Sequence, residues 1–167
     1  TMTKPALIKI LFVCMGNICR SPTAQGIFEA KLRDEGFDDR VIVDSAGTHS
    51  YHVGAPPDPR SIAAALKRGI DLSALRARQV HPDDFYEFDL VLAMDRANLG
   101  ILERISPRDK RNRLEMFLEF APGLGIDEVP DPYNGIGNGF ERVLDIVEAG
   151  SDGLLAQLHT RYDLNSG

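Results

Sequence analysis

The feature that most constrains this chain is its alternation of short apolar runs with amphipathic stretches, which begins at "IKILFVC". Ile8 to Val13 reads as a buried strand that stops at Cys14, and seven positions later Ser21-Pro22 opens a helical pattern. A serine at a helix entry can accept a hydrogen bond from first-turn amides, and proline suits the first helical position. Ala24, Ile27, Phe28 and Leu32 then recur at helical spacing, as one buried face would. Val41 to Val43 predicts a second strand and Leu90 to Met94 a third, with a weaker fourth around Leu114 to Leu118. Between them, "PPDPRSIAAALKRG" predicts a helix capped by Asp58, with Pro59 inside and Gly69 at its end, and Asp95 caps the helix after the third strand. A last helix is expected from about Phe140 to Leu158, bent at Gly150 or Gly153. Strands and helices in this order imply parallel βαβ units with right-handed crossovers, the strands covered on both faces. Ligands of such sheets bind beyond the carboxyl ends of the strands, where Cys14 falls.

Composition narrows the setting. The 167 residues suit one domain, spanning 1–167, with tails expected to be flexible at 1–6 and 162–167. A formal net charge of −6 argues against a nucleic-acid partner, so an anionic substrate would have to be drawn by a local site. Two cysteines make no extracellular disulfide scaffold, and no apolar run approaches a membrane span. The expectation is a soluble cytoplasmic domain without a membrane partner.

The loop from Cys14 to Arg20 carries the chemistry. Strand, loop and helix N-terminus form an anion cradle in which turn amides and the positive helix end converge. Gly16 allows close backbone approach, and Asn17 tolerates a left-handed conformation. Arg20 supplies a planar fork for two phosphate oxygens. A thiol at the mouth of this cradle sits in a positive field that favours the thiolate, so Cys14 is the candidate nucleophile and phosphorus its target. Cys14 and Cys19 lack metal-ligand spacing, and the stretch lacks the Gly-Lys-Ser/Thr ending of a nucleotide P-loop. Cys19 is the natural redox partner, a thiol able to capture an oxidised Cys14 as a disulfide.

A leaving group that departs from phosphorus as an anion needs a general acid. Two Asp-Pro pairs follow strands, Asp58-Pro59 and Asp131-Pro132. Asp58 is accounted for as a helix cap, whereas Asp131 lies in a loop with Gly135, Gly137 and Gly139, and Tyr133 beside it offers an aromatic wall. Asp131 is therefore favoured.

"VCMGNICRSP" resembles the signature of the low-molecular-weight protein tyrosine phosphatases, and "DSAGT", "GAPPDPR", "RARQ", "FDLVLAMD" and "EVPDPY" extend the similarity, in the family's order, over nearly the whole chain. The resemblance implies an α/β, Rossmann-like single domain, a four-stranded parallel sheet with helices on both faces, and neither metal nor organic cofactor. It implies hydrolysis of phosphotyrosine in proteins and of small aryl phosphates, with phosphate or other oxyanions bound at the loop. By position it implies Cys14 as nucleophile, Arg20 as clamp and Asp131 as acid. Met15, Gly16, Asn17, Ile18, Cys19 and Ser21 would form the substrate loop, with Asn17 and Ser21 shaping it, and Ser45 would support them. Tyr51 and Tyr133 fall where relatives place pocket walls. His49 and His52 are expected near the pocket rim as solvated loop residues, and no catalytic role is expected for them or for His81 or His159.

One departure stands out. Relatives often carry a histidine at the position of Leu75, where it helps hold the serine matching Ser21; here Ser21 is expected to rely on Asn17 and Ser45. Three rivals remain. An arsenate reductase on this fold needs cysteines outside the loop, which this chain lacks. Phosphoarginine phosphatases carry threonine where Ile18 stands. A non-catalytic phosphate sensor would need no pairing of Cys14 with Asp131.

Overall fold

The computed structural model describes residues 7–133 and 138–164. Its element order is β1 (Ile8–Cys14), α1 (Arg20–Glu35), β2 (Val41–Gly47), α2 (Pro59–Leu66), α3 (Asp84–Glu87), β3 (Leu90–Ala93), α4 (Arg96–Ile105), β4 (Leu114–Met116) and α5 (Gly139–Tyr162). The sheet is four-stranded and parallel throughout, in the order β2-β1-β3-β4. The chain leaves β1 toward β2 on one side and later returns as β3 on the other. The carboxyl end of β1 is thus the switch point at which such sheets take ligands.

Alternation along β1 divides the core. Ile8, Ile10, Phe12 and Cys14 belong to the apolar layer shared with α1, α2 and α5, while Leu11 and Val13 belong to the layer under α3 and α4. Phe12 lies edge-to-face with both Phe28 (6.0 Å) and Phe117 (5.2 Å), joining α1 and the segment after β4 on one face of the sheet. Among the described residues, no helix is long and apolar enough to cross a membrane.

Asp58 caps α2 by accepting from the Arg60 amide at 2.8 Å, and Asp95 caps α4 by accepting from the Asn98 amide at 2.7 Å, both as expected. Gly69 follows α2 at a φ of 80°, the left-handed geometry expected of a helix stop. Other local expectations are corrected. The second strand runs four residues past Val43, to Gly47, because β1 pairs with its polar segment Asp44-Ser45 as fully as with its apolar start. The fourth strand ends at Met116, and Phe117–Phe120 form a 3-10 turn. Ser21 caps nothing: α1 begins at Arg20 with no side-chain cap, and the serine turns inward to the cysteine instead.

The last helix runs from Gly139 to Tyr162, and its two interior glycines, Gly150 and Gly153, serve contact. A Cβ on Gly150 would lie 2.6 Å from the Phe117 ring, and one on Gly153 would lie 1.8 Å from the Phe120 carbonyl oxygen. Leu164, two residues past this helix, is buried against the main core. Residues 1–6, 165–167 and the loop glycines Gly135 and Gly137 lie outside the described residues.

Candidate active site

Cys14, the last residue of β1, is 3% exposed. The loop after it is tied down from behind. Thr48 donates to the Cys14 carbonyl (2.9 Å), His49 to that of Met15 (3.0 Å) and Asp58 to that of Ile18 (2.8 Å), all through backbone amides. In a planar trans peptide the carbonyl of one residue opposes the amide of the next. Anchoring those three carbonyls outward therefore turns the amides of Met15, Gly16 and Cys19 toward the concave side. Asn17 takes a φ of 58°, which its side chain makes tolerable. Gly47, paired with Cys14 across β1 and β2, lets the loop lie close: a Cβ there would stand 2.7 Å from the Met15 carbonyl oxygen and 3.1 Å from the Asn17 amide.

A directed hydrogen-bond chain fixes the sulfur's neighbour. The Arg78 amide donates to Asn17 Oδ1 at 3.0 Å, which sets the orientation of that side-chain amide. Asn17 Nδ2 then donates to both Ser21 Oγ (2.8 Å) and Ser45 Oγ (3.0 Å), and Ser45 passes its own hydrogen to Gln25 Oε1 at 2.7 Å. Ser21 is an acceptor toward Asn17, which leaves its hydrogen to Cys14 Sγ at 3.0 Å or to the more distant Ala46 carbonyl at 3.4 Å. Asn17 holds Ser21 directly; Ser45 acts only by holding Asn17. Leu75 packs against the main apolar core and takes no part.

Arg20 is 3% exposed. Its Nη1 donates to Asp95 Oδ2 (2.6 Å) and to the Val129 carbonyl (3.1 Å), and its Nη2 lies 3.7 Å from Asp131 Oδ2. Burial works against the guanidinium charge, but Cys14, Asp95 and Asp131 outweigh it and hold the group above its ordinary value. Asp95 does two jobs with its two oxygens, capping α4 with one and orienting Arg20 with the other.

One pocket gathers Cys14, Met15, Gly16, Ile18, Cys19, Arg20, His52, Asp131 and Tyr133. Asn17, Ser21 and Ser45 stand behind it in the hydrogen-bond chain. Tyr51 is not on the wall: it is 76% exposed and stacks on His49 with ring centroids 5.3 Å apart. His52 takes that place, its Cδ2 2.9 Å from where a Cβ on Gly16 would be and its ring 6.1 Å from that of Tyr133. Burial pushes the Cys19 thiol up to about 12, although Ser61 hydrogen-bonds to it; both cysteines are free.

With this geometry in hand, comparison with known proteins is decisive. The family model of the low molecular weight phosphotyrosine protein phosphatases matches residues 9–163. The chain belongs to that family. A low molecular weight protein-tyrosine-phosphatase of Streptomyces coelicolor is 39% identical over 158 residues, covering 93% of this chain and 96% of its own. Among solved structures, YfkJ from Bacillus subtilis superposes with a TM-score of 0.89 at 33% identity, covering 95% of this chain and 98% of its own. A protein tyrosine phosphatase from Entamoeba histolytica, solved with Hepes in the active site, gives 0.88 at 37% identity, covering 92% of this chain and 97% of its own.

The sequence reading missed the second role of Asp95, the clearance at Gly47 and the Arg78 and Gln25 ends of the hydrogen-bond chain; it put His52 near the pocket rim but not on the wall. Gly47 left a signal in "DSAGT", a glycine on a strand end facing a loop. The others are contacts between distant segments, and spacing carries no trace of them.

Proposed function

We propose that this protein hydrolyses phosphotyrosine in proteins, and small aryl phosphates, through a phosphocysteine intermediate. The observation that carries the reading is the convergence of Cys14, Arg20 and Asp131 on one pocket whose floor is the amide-lined loop. Arg20 and the inward amides bind the phosphoryl oxygens, which gain charge as the transition state forms. The Cys14 thiolate attacks phosphorus, the P–O bond to the phenol breaks, and Asp131 gives its proton to the departing oxygen. Water then attacks the phosphocysteine, Asp131 recovers a proton from it, and the thiolate leaves with phosphate released, stabilised by the Ser21 hydroxyl at 3.0 Å. Tyr133 and His52 flank the space for the phenyl ring. Ile18 leaves no hydroxyl there for a guanidino phosphate, which favours aryl esters over phosphoarginine.

The same site gives a redox reading: peroxide converts the Cys14 thiolate to a sulfenic acid, and the Cys19 thiol displaces water to form a disulfide. Two free cysteines suit a reducing compartment, and we place the enzyme in the cytoplasm.

The deciding experiment is Cys14→Ser. This variant is expected to lose turnover of p-nitrophenyl phosphate and to keep binding inorganic phosphate by calorimetry, since Arg20 and the loop amides remain. Substantial turnover by the variant would overturn the covalent route; no turnover by the native protein would leave a phosphate sensor.

A further inference from the structure

We propose that Arg60 is a positioning residue for the general acid, a strut that joins the start of α2 to the Asp131 segment and sets where that carboxylate sits over Cys14. The proposal rests on the assignment of Asp131 as the acid. The Tyr133 peptide links the two: its amide donates to Asp131 Oδ1 at 3.0 Å, and its carbonyl accepts from Arg60 Nη2 at 3.0 Å. The guanidinium also lies against two rings, 4.7 Å from the Phe140 centroid and 5.6 Å from that of Tyr133, so it contacts both the acid segment and the start of α5.

The strut is itself held at its root. Asp58 receives Arg60 Nε at 3.0 Å and Nη2 at 2.8 Å, a fork geometry that an ammonium cannot reproduce, and Asp58 is 7% exposed. The amide of Asp58 anchors the Ile18 carbonyl, and Ser61 hydrogen-bonds to Cys19. Four consecutive residues, Asp58 to Ser61, therefore touch the nucleophile loop on one side and the acid segment on the other. Asp131 itself is 39% exposed, and beyond the Arg20 contact at 3.7 Å it leans on its own turn for support. Without Arg60, the Tyr133 carbonyl and both rings lose their common partner, and the carboxylate loses its fixed distance to the leaving oxygen. Small misplacements of reacting groups are costly, up to ~10²-fold for about 1 Å.

The test measures kcat for a series of aryl phosphates whose phenols range from good to poor leaving groups, in Arg60→Met, Asp131→Asn and the double variant. Arg60→Met is expected to lose about tenfold on phenyl phosphate and little on the activated esters, a loss in the direction of Asp131→Asn and smaller than it. In the Asp131→Asn background the same change should cost nothing further, because there is no proton left to place. Arg60→Lys should recover only part of the loss. An equal loss on all leaving groups, or a loss that adds fully to that of Asp131→Asn, would overturn the proposal. If Asp131→Asn itself shows no leaving-group dependence, the assignment of the acid fails first, and the two failures are told apart. Should Arg60→Met not fold because Asp58 is left as a buried unpaired charge, Asp58→Asn/Arg60→Met removes both charges and keeps a capping residue; it is read in the same way.

Discussion

The two halves of the site are built differently. On the nucleophile side, Cys14, Asn17, Arg20, Ser21 and Ser45 are all buried, and each is fixed by a partner from another element. On the acid side, Asp131 and Tyr133 are exposed at the surface, and the carboxylate is held by one amide of its own turn and a looser contact with Arg20 at 3.7 Å. The contrast matches what each half must do. An anion cradle stabilises charge only if its donors are already in place when charge develops, which calls for rigidity. A general acid must meet one leaving oxygen after another and let the phenol out, so it sits where solvent and substrate reach it. Damage to the cradle should therefore affect all substrates alike, whereas damage to the acid side should depend on the leaving group.

The largest effect expected to separate the halves is that of Asp131→Asn. It should lower kcat by ~10²–10⁴-fold for phenyl phosphates with poor leaving groups and far less for good ones. If rates fall equally across the series, Asp131 is misassigned, and the contrast between the halves collapses.

Next comes Gly47→Ala, aimed at the cradle. The new methyl would meet three backbone atoms of the loop, one at 2.7 Å and two at 3.1 Å, and none is the movable end of a side chain. The loop must shift, and a displacement near 1 Å costs up to ~10²-fold. The loss should be uniform over leaving groups and accompanied by weaker phosphate binding in calorimetry. A variant with normal phosphate affinity would show that the loop has slack.

How the halves were legible in sequence follows the same division. Cys14, Gly16, Asn17 and Arg20 lie within one strand-loop-helix unit, so their spacing alone announces a cradle. Asp58 and Asp95 were readable as caps because a cap acts on its own helix. What spacing could not give is every contact between segments far apart: Asp95 on Arg20, Arg78 on Asn17, Arg60 on Tyr133. Ser21 was misread for a related reason. A serine at a helix entry is locally a cap, and only the neighbouring strand end reveals a sulfur at 3.0 Å that claims it. Tyr51 and His52 are adjacent on one exposed turn, and which ring faces the pocket depends on the stacking of Tyr51 against His49. The sheet was readable where its strands are apolar; β2 runs on through Asp44 and Ser45, whose polarity hid it.

Oxidation probes the rigidity of the cradle more gently. Mild peroxide should inactivate the enzyme and dithiothreitol should restore it, with Cys19→Ser active at the outset yet losing much of that recovery. Burial holds the Cys19 thiol at about 12, so it stays protonated at neutral pH and is a slow nucleophile while the loop is closed. Disulfide closure should therefore lag behind the loss of activity. Mass spectrometry that finds no Cys14–Cys19 disulfide after reversible inactivation would defeat the redox reading.

The smallest expected effect is on stability, at the residue from which both halves are braced. Hydrogen bonds from the Arg60 side chain hold the Asp58 carboxyl below the usual carboxylate range, against the opposing pull of burial. A carboxyl whose folded value is depressed binds its proton more readily when unfolded, so it stabilises the fold above the unfolded value, ~3.9. That contribution is lost as pH falls from there through the folded value. Asp58→Asn keeps a good capping side chain and removes only the charge. Denaturant melts should therefore find the variant less stable than the native protein at pH 7, with the gap closing in acid below about pH 4. A gap that persists unchanged into acid would mean that the cap and packing of Asp58, rather than its charge pair with Arg60, hold the start of α2 in place. The brace between the two halves would then be mechanical, and Arg60 could be replaced by any side chain that fills the space between Tyr133 and Phe140.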